Sequence, residues 1–282
     1  MKPGTALRLG RVSNLPTVWS NTLTGAVLAG AGGLGAEFAL LLVAFTLFYT
    51  GGMFLNDAFD APFDARQRPE RPIPSGEVGA REVFAWGYAM MALGIAVLAW
   101  FGVAPALAGL TLAVAITFYD WHHKANVLGP VVMGLCRVLV YVGAGLCFTL
   151  ALPDALWVGA ALMLCYLIGL TYVAKQENLG RVENLWPLVF LAAPVAYGAW
   201  VAAAQYAVAP FWLLFTGWML VALWFLRRRA NGDIPRAVVS LIAGISLLDA
   251  LLIAGSGSPA LAALALAGFG VTLFFQRYVS GT

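Results

Sequence analysis

The stretch Asn56-Asp57-Ala58-Phe59-Asp60-Ala61-Pro62-Phe63-Asp64-Ala65-Arg66-Gln67-Arg68-Pro69-Glu70-Arg71-Pro72-Ile73-Pro74-Ser75-Gly76 follows directly on a long apolar run. Asp57, Asp60 and Asp64 stand at i, i+3 and i+7, a spacing that stacks carboxylates along one face of an α-helix. Hard oxygen donors grouped in this way suit Mg²⁺, which takes one or two carboxylates together with the oxygens of a bound phosphate. Arg66, Arg68 and Arg71 follow at once and supply the planar fork that grips phosphate through paired hydrogen bonds. The stretch therefore reads as a metal-diphosphate site at the mouth of a membrane helix. Pro62 lacks an amide hydrogen and disfavours helical geometry at Ala61, so Asp64 is expected to approach the metal from a turn. Topology alone places arginines beside a membrane helix. It does not require aspartates in register, which are costly near lipid unless used.

The composition sets the surroundings of that site. The chain has 62% hydrophobic and 10% charged residues and a mean hydropathy of +0.86, far from the roughly 25% charged of a soluble domain. Apolar segments long enough to approach a bilayer's thickness run near 14–34, 37–56, 82–102, 104–120, 128–150, 155–175, 186–205, 209–226, 237–254 and 259–276. The expected fold is an all-α polytopic transmembrane helical bundle with nine to ten membrane helices around a central cavity, formed by a single domain over residues 1–282. Of the 16 Lys and Arg residues, only Arg137 lies inside a segment, Lys175 standing at the very end of one, and the connections around Gly35, Gly102, Pro153, Ala207 and Ser256 carry none. By the positive-inside rule the N-terminus and the loops at 57–81, 120–127 and 175–185 are cytoplasmic, in the plasma (inner) membrane if the source is bacterial. The first segment is read as a retained helix and not as a leader. A net charge of +3, distributed by topology, excludes a nucleic-acid surface. The three cysteines lie in apolar segments and read as small buried hydrophobes.

The pattern N-D-x-x-D-x-x-x-D at residues 56–64, followed by R-P-x-x-S-G at 71–76, resembles the first aspartate-rich motif of the UbiA superfamily of intramembrane prenyltransferases. The resemblance implies an all-helical enzyme that ionises a polyprenyl diphosphate with Mg²⁺ (Mn²⁺ being the other ion of that chemistry) and passes the prenyl group to an acceptor small molecule or lipid. On that reading Asp57, Asp60 and Asp64 are the catalytic metal ligands, with Asn56 beside them. It also implies a diphosphate-binding Asn on the first helix, here Asn21; a buried amide there serves equally to bond a neighbouring helix.

Tyr119-Asp120-Trp121-His122-His123-Lys124 resembles the family's loop after the fourth helix. There Lys124 would bind diphosphate and Tyr119 would turn its ring to an allylic cation. The same residues also suit an aromatic and basic interfacial belt. The adjacent histidines point about 100° apart on a helix and have no third partner for zinc. Arg137, deep in an apolar segment, is a candidate diphosphate ligand from the cavity wall or half of an internal salt bridge. The third loop departs from the family pattern: Lys175-Gln176-Glu177-Asn178 stands where a second paired-aspartate motif is usual. Glu177 remains as a metal ligand, while Lys175 offers a fixed cation for the diphosphate. Asp249, near Ser246, is expected to pair across helices. Two function classes remain open: a Mg-dependent prenyltransferase, and a non-catalytic protein that binds or transports a lipid diphosphate. Metal-dependent release of diphosphate separates them.

Overall fold

The computed structural model describes residues 1–123, 126–175 and 186–279. Among these the chain is all-helical, 82% helix with no strands. A short helix α1 (Pro3–Leu9) is followed by α2 (Leu15–Leu28), α3 (Ala36–Gln67), α4 (Ala80–Phe101), α5 (Val103–His122) and α6 (Gly129–Leu146). The remainder comprises α7 (Asp154–Lys175), α8 (Ala192–Ala204), α9 (Ala209–Arg228), α10 (Asp233–Gly255) and α11 (Pro259–Phe275). Each of the ten apolar segments thus contains a helix. Seven helical stretches, those of α3, α4, α5, α6, α7, α9 and α10, are long and apolar enough to cross a membrane, while α11 and the Leu188–Ala204 stretch are shorter. Helix α2 has 14 residues. Length and composition alone therefore support seven spans of the expected nine to ten.

A helix that is apolar all round belongs inside a bundle. Helix α10 answers to this, with 89% of its apolar window buried, against 28% for α4 and α5. The short α2 is also interior, packing on α3, α6, α10 and α11. It can lie so close because it carries small residues: a Cβ on Gly25 would stand 2.6 Å from the carbonyl oxygen of Tyr141 on α6. Helices α3 and α4 touch in the same way, with a Cβ on Gly51 falling 2.8 Å from the carbonyl oxygen of Gly87.

Helix α3 has 32 residues, about 48 Å at 1.5 Å per residue, against roughly 30 Å of bilayer hydrocarbon. Roughly its first 20 residues suffice to cross, which ends the apolar part near Asn56 and carries the acidic part beyond it. The expected break at Pro62 does not occur, because the helix continues through that residue to Gln67. Arg71 folds back and donates to both Asp57 (3.2 Å) and Asp64 (3.0 Å), clamping residues on either side of the proline. That bridge offsets the backbone hydrogen bond that proline cannot make.

Candidate active site

The charged ends of the helices enclose a cavity of about 680 Å³. Its mouth is lined by Asn56, Asp60, Asp64, Arg68, Arg71 and Lys175, and its interior by apolar side chains such as Phe45, Phe48, Leu112, Val140, Leu167 and Ile245. One chamber thus offers charge at one end and an apolar surface for a chain at the other.

Asn56, Asp60 and Asp64 all line the cavity. Their i, i+4, i+8 spacing places them on one stripe of α3. Asp57 lies off that stripe and off the lining. It is 7% exposed and accepts from Arg11 (3.0 Å) and Arg71 (3.2 Å). Of the three motif carboxylates, the two that line the chamber are therefore Asp60 and Asp64, and Asp57 is the buried counter-charge that holds two arginines at its rim. Asp60 also lies 3.8 Å from His123 Nε2. Arg66 is exposed and outside the lining, whereas Arg68 and Arg71 belong to it.

Arg11, Asp120 and His123 are among the lining residues to which the sequence assigns no role. Arg11 resembles an ordinary topological charge in the sequence, but it has left-handed backbone angles (φ 40°, ψ 49°) between α1 and the 3₁₀ turn Val12–Asn14. This conformation is uncommon for a residue with a side chain and is found at functional sites. It sends the guanidinium to Asn56 (3.2 Å) and Asp57 (3.0 Å), while the Arg11 carbonyl accepts from the Tyr49 hydroxyl (3.1 Å). Burial, the largest single influence, works against the Arg11 charge, but Asp57, Tyr49 and Asp120 together outweigh it and the pKa is raised. Asp120 is 4% exposed; its Oδ1 accepts from Asn56 Nδ2 at 3.0 Å, and its Oδ2 has no hydrogen-bond partner among the described residues. His123 lies in the lining beside Tyr119, their rings 5.0 Å apart and stacked. No motif marks Arg11 or Asp120. The adjacency of Asp120 to Tyr119 was the available signal for the second.

Tyr119, Arg137 and Lys175 also line the cavity. Arg137 donates to Asn21 Oδ1 (2.7 Å) and Thr17 (3.2 Å), and its guanidinium lies 5.9 Å from the centre of the Tyr49 ring. Lys175 Nζ donates to the Asn126 carbonyl at 2.6 Å. Of the two readings of Asn21, its contacts match the bond to neighbouring helices and not the diphosphate ligand: it is fully buried, outside the cavity lining, and bonded to Arg137 and Asp249. A buried amide on a well-packed helix finds protein partners first. Lys124 and Glu177, with Gln176 and Asn178, lie outside the described residues.

Among the described residues no three acidic, histidine or cysteine side chains converge closely enough to hold a metal ion by themselves. The donor set on α3 nevertheless fits Mg²⁺, because that ion is satisfied by one or two carboxylates and completes its shell with water and substrate phosphate.

A family model described as the UbiA prenyltransferase family matches residues 18–231, three-quarters of the chain. The chain belongs to the UbiA prenyltransferase family. Curated relatives of this UbiA-family chain include the digeranylgeranylglyceryl phosphate synthase of Methanopyrus kandleri, 29% identical over 269 residues and covering 89% of each chain. The protein of the same name from Natronomonas pharaonis is 28% identical over 235 residues, covering 79% of this chain and 80% of its own. The fold is shared with a UbiA homolog from Aeropyrum pernix K1 at a TM-score of 0.68 and 18% identity, covering 84% of this chain and 97% of that one. It is shared also with a UbiA homolog from Archaeoglobus fulgidus bound to GPP and Mg²⁺, at a TM-score of 0.62 and 17% identity, covering 92% and 99%. Family membership accounts for the all-helical membrane architecture.

Proposed function

We propose that this chain transfers a prenyl group from an allylic polyprenyl diphosphate to a lipid acceptor built on glyceryl phosphate, with Mg²⁺ as cofactor. The observation that carries the reading is the two-ended cavity: carboxylates and guanidiniums at the mouth match a diphosphate, and the apolar interior matches an isoprenoid chain. The acceptor class is taken from the relatives named digeranylgeranylglyceryl phosphate synthase, and the metal from the family neighbour bound to GPP and Mg²⁺.

Asp60 and Asp64 are the residues that would hold the ion, with Asn56 beside them. When bound, Mg²⁺ neutralises charge on the diphosphate oxygens. Arg68, Arg71 and Lys175 bind the same anion and stabilise the charge that grows on it as the allylic carbon–oxygen bond breaks. Arg11 acts at one remove by holding Asn56 and Asp57 in place. The rings of Tyr119 and Tyr49 line the chamber in which the allylic cation forms, and aromatic faces attract cations. The apolar wall excludes water that would otherwise hydrolyse the cation. An acceptor hydroxyl oxygen then forms the new carbon–oxygen bond, and its proton passes to the departing diphosphate.

Under this reading α2, α8 and α11 complete a bundle of nine to ten spans, with the cavity mouth and N-terminus on the cytoplasmic face. Connections 29–35, 147–153, 205–208 and 256–258, and Gly102, carry no Lys or Arg, which supports that orientation. Thiol-reagent access to cysteines placed in the two sets of connections tests it. An inward-only reaction at position 257 would reverse it.

The deciding experiment incubates purified protein with labelled geranylgeranyl diphosphate and geranylgeranylglyceryl phosphate, with and without Mg²⁺. Expected is a Mg-dependent product bearing both chains, with release of diphosphate. Binding without release would favour a carrier of lipid diphosphates. Transfer to a different acceptor from a membrane extract would keep the chemistry and replace the acceptor.

A further inference from the structure

Behind the cavity wall lies a polar cluster that the reaction above does not use. Asp249, on the interior helix α10, is fully buried and faces four donors from two other helices. Asn21 Nδ2 donates to its Oδ2 at 2.7 Å, and the Ser20 hydroxyl donates to the same oxygen. Thr24 donates to Oδ1 at 2.9 Å, joined there by the Tyr141 hydroxyl. Ser246, one turn before Asp249 on α10, meets Ser20 at 3.0 Å. Neither Asn21 nor Asp249 lines the cavity, but Asn21 Oδ1 accepts from Arg137, which does.

We propose that Asp249 is a positioning residue for the anion site: it fixes the side-chain amide of Asn21 so that Asn21 presents only an acceptor to Arg137, aiming that guanidinium into the cavity. The proposal rests on the reading that the cavity binds a diphosphate. An amide can turn either end toward a neighbour, and its two ends have opposite roles. A carboxylate only accepts, so an Asn against Asp249 must offer its NH₂ there and its oxygen to the other side. Arg137 only donates and requires that oxygen. Of its five N–H groups, the bonds to Asn21 and Thr17 engage two, and the guanidinium still borders the chamber. The orientation is thus imposed from behind, as a carboxylate behind a metal-binding histidine imposes its tautomer. Asp249 also supplies a negative charge within the protein for a cation set in an apolar wall, which is otherwise costly.

The test measures equilibrium binding of inorganic diphosphate and geranylgeranyl diphosphate, with Mg²⁺, to folded wild type, Asp249→Asn, Arg137→Met and both together. In Asp249→Asn the new amide can place NH₂ against Asn21, which then turns its own NH₂ toward Arg137. Binding is expected to weaken about tenfold, the loss of one charge-assisted contact. Arg137→Met should weaken it at least as much, and adding Asp249→Asn to that variant should change nothing further. The exchanged pair Asn21→Asp with Asp249→Asn restores an acceptor facing Arg137 and should recover binding. Asp249→Asn binding like wild type overturns the proposal, as does a full further loss when Arg137 is already absent. Should Asp249→Asn alone fail to fold, the exchanged pair decides: folding with binding supports the assignment, and folding without binding refutes it. Wild type that binds no diphosphate is a failure of the proposed function. In that case the unfolding midpoints of the same four proteins read the Asp249–Arg137 coupling directly, and additive midpoints overturn it.

Discussion

Asn56 Nδ2 donates to Asp120 Oδ1 at 3.0 Å, joining α3 to α5 across the polar end of the cavity. Asn56 also accepts from Arg11 at 3.2 Å through its oxygen, so its amide is used at both ends. Asn56→Leu strands a buried carboxylate oxygen and a guanidinium hydrogen together. The expected cost is about 1–3 kcal/mol of stability for a buried group left unpaired, read as a lower unfolding midpoint in detergent, with prenyl transfer lost.

Asp60 and Asp64 face the cavity, and Asp57 faces two arginines. Asp60→Asn and Asp64→Asn should each lower transfer by about 10²-fold or more, the scale of losing one charge-stabilising group, and should raise the Mg²⁺ concentration needed for half-maximal rate. Asp57→Asn should leave that Mg²⁺ requirement near wild type and instead lower the unfolding midpoint, since Arg11 and Arg71 lose their shared counter-charge. A Mg²⁺ titration of the three variants distinguishes the roles. An Asp57 variant with the greatest shift in Mg²⁺ requirement would contradict the geometry.

Arg11 combines a left-handed backbone with a forked side chain that reaches both Asn56 and Asp57. Arg11→Gly removes the backbone strain, worth roughly 1–2 kcal/mol, while deleting the contacts. Its unfolding midpoint should fall little and its rate much. Arg11→Lys keeps the charge but not the fork, and its rate should lie between those of Arg11→Gly and wild type.

A Cβ on Gly129 would stand 2.9 Å from Lys175 Nζ. The colliding atom is the end of a flexible side chain, so Gly129→Ala should fold and displace the ammonium from the Asn126 carbonyl. The expected signature is a higher KM for the prenyl diphosphate with kcat less changed, and steady-state kinetics on the two substrates separately would show it.

The N-terminal helix α1 is fastened to the α3–α4 connection by Glu77, which accepts from Thr5 at 2.9 Å and pairs with Arg8. The Thr5 hydrogen bond, with Arg8 adding to it, lowers the Glu77 pKa. A carboxylate with a depressed folded-state pKa contributes stability that is fully present above its unfolded pKa and is lost as pH falls through the folded value. Docking of α1 should therefore loosen only below the ordinary carboxylate range. Salt should weaken it wherever Glu77 is ionised, because the pair with Arg8 is exposed. A nitroxide attached through Gly4→Cys, where a side chain meets open space, reports this as increased mobility at low pH. Glu77→Gln should abolish the pH dependence.

Much of the architecture was legible because it is written in runs and periods. Ten apolar segments predicted ten helices, and each contains one, since apolar length is a local property of a chain facing lipid. The motif at 56–64 stands out for the same reason, as does Arg137, whose charge is conspicuous in an apolar run, and Asn56, Asp60, Asp64 and Arg137 border one cavity. The errors came where a residue's role depends on what folds against it. Pro62 predicted a break that the Arg71 clamp overrides. Helical spacing alone grouped Asp57 with Asp60 and Asp64, although Arg11, arriving from 46 positions away in sequence, and Arg71 both pair with Asp57.

The sequence by itself determined that this chain is helical, embedded in a membrane, of the UbiA prenyltransferase type, and equipped with carboxylates and arginines at one helix end. Only the tertiary structure decided which of those groups face the chamber and which serve them: Asp60 and Asp64 from Asp57, Arg137 from Asn21, and Asp249 behind both. The physical reason is that hydrophobic length and helical period are set by neighbours along the chain. Hydrogen-bond partnership in a low-dielectric interior is set by groups on different helices, where each donor must find an acceptor within about 3 Å.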